Sequence, residues 1–381
     1  MDLDLSDEQQ QLVDSFGALY AKDSPPERVR AAEAVEPTGH DPELWLRLQE
    51  NGALEMSVDE DAGGWGASLL DLALVAEQHG RFLGAAPLLE TQTTARLLAR
   101  LLARLGPHSP AAALLEAVLA DARLATLALH PPTGGVLSLV PAGAIADDVI
   151  FFDGNSLRHI ALDPDGDEDP YADAPGPTGP APTAGNAARR SVTTIGSLPL
   201  ADIALPAAST TITELASGAE AKHAFGEAVN EWMILMAGAL VGLGARSLEI
   251  GVEYVKERKA FGVPIGSFQA ISHGLADAAT ALDGATLLAR EAAWSAEVQP
   301  ERTPELGPLA FGFCAEAARE ASYRSLHYHG GYGFMLEYDI QLYFRRARGW
   351  PAQFAEPDIA FGMAAARRLS ARAAAATDGE A

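Results

Sequence analysis

Apolar residues recur at helical spacing through the first 120 residues. Ser6 with Gln9 three positions later has the form of a capping box, which predicts a helix through about Lys22. Pro42 suits a first helical turn, and Leu44, Trp45 and Leu48 behind it make an apolar stripe. The turn Gly63-Gly64-Trp65-Gly66 precedes Ser68, an N-cap for a helix carrying Leu72, Leu74, Val75 and Gln78. That glycine turn is no dinucleotide fingerprint, because no strand leads into it and its spacing differs. Two Leu/Ala-rich helices are expected over 88–105 and 110–122.

From residue 124 the pattern shortens. Apolar runs at 124–129, 135–140, 148–152 and 157–162, punctuated by Pro, Gly and Asp, predict a small β domain. Six prolines with glycines and acids lie from Pro164 to Pro182, a composition that cannot carry a ladder and reads as a surface loop over about 161–190. Helical spacing returns from Ser209, with no proline between Pro206 and Pro264. A long helix is expected over 219–258, its small residues (Gly238, Gly242, Gly244 and the alanines between) allowing a neighbour to approach closely. Ser267 is read as the N-cap of the next helix, with Ile271, Leu275, Ala278, Leu282 and Ala285 on one face. Further helices are expected over 306–329 and 337–348, a break at Pro351, and a last helix after Pro357. The fold class is therefore mainly α with a small β domain. An N-terminal helical domain (1–122) and a middle β domain (123–206) precede a C-terminal helical bundle (207–381).

Composition removes several functions. Hydrophobic residues are 48% and charged residues 21%, enough for a large core. Lys plus Arg number 27 against 52 Asp plus Glu, a net charge of −25 that repels nucleic acid and anionic lipid. The longest uncharged helical stretch, 232–245, is shorter than the roughly 20 apolar residues of a membrane span. The acidic N-terminus is unlike a secretory signal, and a lone cysteine, Cys314, leaves no intramolecular disulfide. A cytoplasmic location is the expectation. The nine histidines form no run at ligand spacing with carboxylates, so no metal is expected.

Two segments carry chemistry. One is Tyr254-Val-Lys-Glu-Arg258-Lys-Ala-Phe261-Gly-Val-Pro-Ile-Gly-Ser-Phe268-Gln269; the other is Leu326-His-Tyr-His329-Gly330-Gly331-Tyr-Gly333-Phe334. Bottom-up, Arg258 at a helix C-terminus suits the helix dipole, and its guanidinium also suits a pyrophosphate. The glycines end a helix, and their bare backbone lets a nucleotide approach. Together the segments resemble the acyl-CoA dehydrogenase family over nearly the whole chain. The resemblance implies FAD as cofactor, an acyl-CoA thioester as substrate and an electron acceptor such as electron-transfer flavoprotein. It also implies that Arg258, Phe261, Gln269, His327, Gly330 and Gly331 hold the ADP part of an FAD seated in a neighbouring subunit. His327 stands where the family usually has Gln.

The chain departs from that family in the parts that do the chemistry. Where a Thr-Glu-Pro-x-x-Gly-Ser-Asp type segment should hold the flavin ring, it has Leu129-His-Pro-Pro-Thr-Gly-Gly135. Counting back from Phe261 puts Trp232 at one position of the family's catalytic glutamate. Glu231 next to it is rotated by about 100°. The other position falls on Phe354, with Glu356 two residues on; Met233 replaces an arginine. The pattern resembles the subclass of mixed actinobacterial complexes in which one chain keeps mainly the ADP-binding edge. It implies an FAD-dependent acyl-CoA dehydrogenase working as one subunit of a mixed, α2β2 complex with a homologous chain, in lipid or steroid catabolism. Two alternatives stand beside it: a homotetramer using Glu356 as base, and a non-catalytic scaffold.

Overall fold

The computed structural model describes residues 5–35, 39–120, 123–162, 188–206 and 212–378. The chain folds as two compact units built from separated stretches. One comprises Met1–Val29, Ser68–Gly84 and Met233–Ala381; the other comprises Arg30–Ala67 and Ala85–Trp232.

In chain order the first helices are α1 (Asp7–Asp23), α2 (Pro26–Glu33), α3 (Pro42–Glu50), α4 (Leu69–Arg81), α5 (Leu88–Leu105) and α6 (Pro110–Ala120). The starts of α1, α3 and α4 are written in the sequence. Ser6 and Gln9 form a reciprocal capping box at α1, Ser68 and Asp71 form another at α4, and Asp41 caps α3 ahead of Pro42. The pattern of apolar positions passes over α2, which buries only Val29 and Ala32.

The second unit holds β1 (Ala125–Leu127), β2 (Val136–Val140), β3 (Asp148–Phe152), β4 (Ser156–Ala161), β5 (Ala188–Val192), β6 (Leu200–Ala204) and β7 (Ile212–Ser217). They form two sheets, ordered β1-β3-β4-β7 and β2-β6-β5. β1 lies parallel to β3, with Thr126 opposite Val149, and β3 runs antiparallel to β4, with Val149 opposite Ile160. Leu137, Val140 and Ile203 from one sheet meet Val149, Phe151 and Ile160 from the other in a single apolar core. Most of the proline-rich span expected as a loop, 163–187, lies outside the described residues. Its edges are strand instead, Ala161 closing β4 and Ala188 pairing with Ala204. The expected return to helix at Ser209 comes later: residues 212–217 add β7 to β4, and the helix starts at Gly218. β-branched Ile212 and Thr213 favour the strand once a partner edge is present.

The last helices are α7 (Gly218–Glu257), α8 (Gln269–Val298), α9 (Thr303–Tyr328), α10 (Ile340–Ala352) and α11 (Pro357–Asp378), with a hairpin of β8 (Lys259–Ala260) and β9 (Val263–Pro264) after α7. Ser267 is not the N-cap of α8. It ends a 3-10 turn and its hydroxyl donates to the Pro264 carbonyl at 2.7 Å, while Phe268 takes the cap position. Pro351 does not stop α10, which runs on to Ala352. The small residues of α7 are used inside the first unit. A Cβ on Gly242 would stand 1.8 Å from the Glu77 carbonyl oxygen of α4, and one on Gly80 would stand 1.7 Å from that of Ala239. By length and composition alone α7 would suit a membrane span, yet 72% of its apolar window is buried inside the protein.

Candidate functional site

Three helix ends bring the two chemistry-bearing segments onto one surface of the first unit. Tyr254, near the end of α7, stacks on His329 with ring centroids 3.9 Å apart. The Tyr328 hydroxyl, at the end of α9, donates to the Ala270 carbonyl at the start of α8 at 3.4 Å. His329 is buried, and its Nδ1 lies 2.7 Å from the Ser325 carbonyl, to which it donates. Burial lowers the His329 pKa, the Ser325 carbonyl offsets part of that, and a neutral ring results at pH 7. This ring anchors the turn that carries the glycines.

The residues expected to meet a nucleotide lie exposed around that anchor. Arg258 follows α7, its backbone N–H bonded to the Tyr254 carbonyl. Its guanidinium is exposed and has no ion pair or side-chain hydrogen bond among the described residues. Phe261 and Gly262 form the two-residue turn between β8 and β9, both with positive φ, +53° and +85°. Such a hairpin turn asks for Asn or Gly at these places, so Phe261 is held at a backbone cost. Its ring is 97% exposed and meets Phe268 edge-on at 6.3 Å. Gln269, exposed, opens α8, and His327, also exposed, stacks beside Tyr323 with centroids 5.8 Å apart. Gly330 has φ +61°, and a Cβ on it or on Gly331 would meet nothing within 4 Å. A cleft of about 380 Å³ opens next to them, lined by Val252, Val255, Lys256, Pro264, Gly266 and Leu275. An unpaired cation, a free amide, an open aromatic face and two glycines with room before them fit the ADP half of a dinucleotide.

The positions expected for a base tell the opposite story. Glu231, on α7, accepts from Arg100 at 2.6 Å and Arg96 at 3.2 Å. Burial alone would raise its pKa, but Arg100 and then Arg96 hold it down at about 2. A carboxylate so strongly held is a poor proton acceptor. Trp232 is buried, with 1% exposure. Phe354 packs edge-on against Phe311 at 5.8 Å, and Glu356, from an exposed position, pairs with Arg319 at 2.9 Å. The stretch standing in for the flavin-ring segment closes into a tight turn. Thr133 and Val136 exchange backbone hydrogen bonds around Gly134 and Gly135, both with positive φ.

One functional-looking side chain is invisible to sequence reasoning. Glu90, in the first turn of α5, reads as an acid favouring a helix N-terminus. In the fold its carboxyl is buried and meets the Trp232 side chain, and burial raises its pKa to about 7. The polar residues that follow it, Thr91 to Thr94, are buried with it.

Comparison with known proteins closes the identification. The descriptions "Acyl-CoA dehydrogenase, N-terminal domain" and "Acyl-CoA dehydrogenase, C-terminal domain" match residues 6–121 and 223–352. The chain belongs to the acyl-CoA dehydrogenase family, whose cofactor is FAD. It is similar to acyl-CoA dehydrogenase IpdE2 of Mycolicibacterium smegmatis, 32% identical over 346 residues, covering 91% of this chain and 94% of the relative. Two solved structures share the fold. The Tcur3481-Tcur3483 steroid ACAD matches with a TM-score of 0.80 at 22% identity, covering 96% of this chain and 99% of that one. The ChsE4-ChsE5 complex from Mycobacterium tuberculosis matches at 0.76 and 24% identity, covering 98% and 99%.

Proposed function

We propose that this chain is one subunit of a mixed, FAD-dependent acyl-CoA dehydrogenase that introduces the α,β double bond into a lipid-derived acyl-CoA thioester in the cytoplasm. Arg258, Phe261, Gln269, His327, Gly330 and Gly331 hold the ADP part of an FAD whose ring lies in a homologous partner subunit. When bound, the cofactor supplies the two-electron acceptor for the substrate, and electron-transfer flavoprotein is the expected next acceptor. This chain's residues bind and orient; the partner contributes the proton-abstracting glutamate and the flavin-ring contacts.

One observation carries the reading: an unpaired, exposed Arg258 beside open glycines, in a chain whose two base positions hold Trp232 and Phe354. Mixed assemblies among the fold's structural neighbours support it, and steroid substrates are named for one of them. The Arg319 pairing of Glu356 weighs against a homotetramer that uses Glu356 as its base. Co-expression with a neighbouring homologue decides it. Native mass should give α2β2 with about one FAD per two chains. A stable homotetramer of this chain alone with one FAD per chain would overturn the reading.

A further inference from the structure

Arg96 and Arg100 lie four residues apart on α5, on one face of that helix, and both close on Glu231 of α7. Arg100 also approaches Glu227, and Arg104 one turn further reaches Glu220 at 2.6 Å. This ladder fixes the rotation of the first turns of α7 against α5. With Glu231 drawn to the arginines, the next residue is turned by about 100° and Trp232 faces elsewhere. The indole is 1% exposed, the largest of the fully buried side chains among the described residues, and the Glu90 carboxyl lies near it. Thr91, Gln92, Thr93 and Thr94, which follow Glu90, are all fully buried. By the count from Phe261, Trp232 occupies the helix position at which an acyl-CoA dehydrogenase can present its base to the substrate's α-carbon. The largest side chain available stands there, packed on all sides.

We propose that Trp232 is a built-in occupant of this subunit's own acyl site, its indole held by its burial and by the rotation that the Arg96–Glu231–Arg100 clamp gives α7 in the volume an acyl chain would need. The subunit is thereby closed to acyl-CoA by a side chain rather than merely short of a base. Every substrate is directed to the partner's site. The proposal rests on the reading of this chain as an acyl-CoA dehydrogenase subunit, and it adds what keeps the second site of each pair silent.

The test is the stoichiometry of binding of β-thiaoctanoyl-CoA, an analogue with sulfur in place of the β-carbon and so no β-hydrogen to lose. Calorimetric titration of the co-purified complex should give one equivalent per two chains. Trp232→Gly in the same complex should add a second equivalent within tenfold of the first in affinity, and free indole should compete for that second site only. Trp232→Phe should leave the count at one. Trp232→Leu keeps a buried apolar side chain while removing most of the indole, and it serves if the glycine variant fails to fold. Two equivalents in the wild-type complex would overturn the proposal, as would folded Gly and Leu variants that gain none. If the chain proves to be a homotetramer, the mixed-complex reading fails on native mass. The occupant is then still tested on that homotetramer, where binding of the analogue by every wild-type chain would overturn it.

Discussion

At the scale of single residues, the same side-chain type is set to opposite tasks by what surrounds it. Arg258 and Arg100 are both arginines at helix surfaces, yet Arg100 is half-buried against Glu231, and Arg258 stands exposed with no side-chain partner among the described residues. Removing Arg258 should therefore cost little stability. Arg258→Ala is expected to weaken FAD binding about ten- to a hundredfold, the loss of one charge-assisted hydrogen bond. The melting temperature of the flavin-free protein should hardly move. Equal loss of stability and flavin would show that the residue serves only the α7 dipole.

Glu90 and Glu231 make a second residue-scale pair, with opposite pH behaviour. Glu90 titrates near 7 in the fold against 4.5 as its ordinary value, because burial disfavours its charged form. Between those values the folded state holds one proton more than the unfolded chain, so stability falls as pH rises. Above pH 7 the full cost, roughly 3 kcal/mol for two and a half pH units, is present. Glu90→Gln should therefore match the wild type near pH 4.5 and gain on it up to about pH 7. Denaturant unfolding at pH 4.5, 6 and 8 checks this; a constant offset would refute the assignment. Glu231, held near 2 by its arginines despite burial, contributes stability above pH 4.5 that is lost as pH falls toward 2.

At the scale of elements, close backbone approach decides how α4 and α7 pack. The sequence shows that α7 carries small residues, but not what they receive. In the fold they receive α4, with Gly242 against Glu77 and Gly238 against Ala73. Gly242→Ala gives a helix-favouring residue, worth up to about 1 kcal/mol in isolation. Its Cβ would nevertheless collide with the Glu77 backbone, and overpacking of that kind costs about 1–3 kcal/mol. Net destabilisation is expected, read as a lower denaturation midpoint with an unchanged slope. A stabilised Gly242→Ala would show that the two helices can part cheaply. The hairpin after α7 shows a different trade. A two-residue turn with positive φ at Phe261 sacrifices local comfort to hold an aromatic ring in the open, a cost that folding stability alone does not explain.

For the whole molecule, the sequence by itself determined the starts of α1, α3 and α4, the four strands from 124 to 162, and the family. These follow from local rules. A capping box, a proline at a first turn, a period of two or of 3.6 residues, and a glycine pair after a helix act within a few residues of chain. Tertiary structure decided the rest, because the deciding partner is far away in sequence. β7 is a strand because β4 offers it an edge some fifty residues back. Ser267 is no cap because the turn at Pro264 takes its hydroxyl. Glu231 is a structural anion rather than a base because Arg96 and Arg100, 135 and 131 residues earlier, converge on it. Glu90 and Trp232 carry no sequence signal of being neighbours. Only the fold takes both out of water and sets one against the other, and desolvation, which no local pattern encodes, then gives the carboxyl its altered pKa.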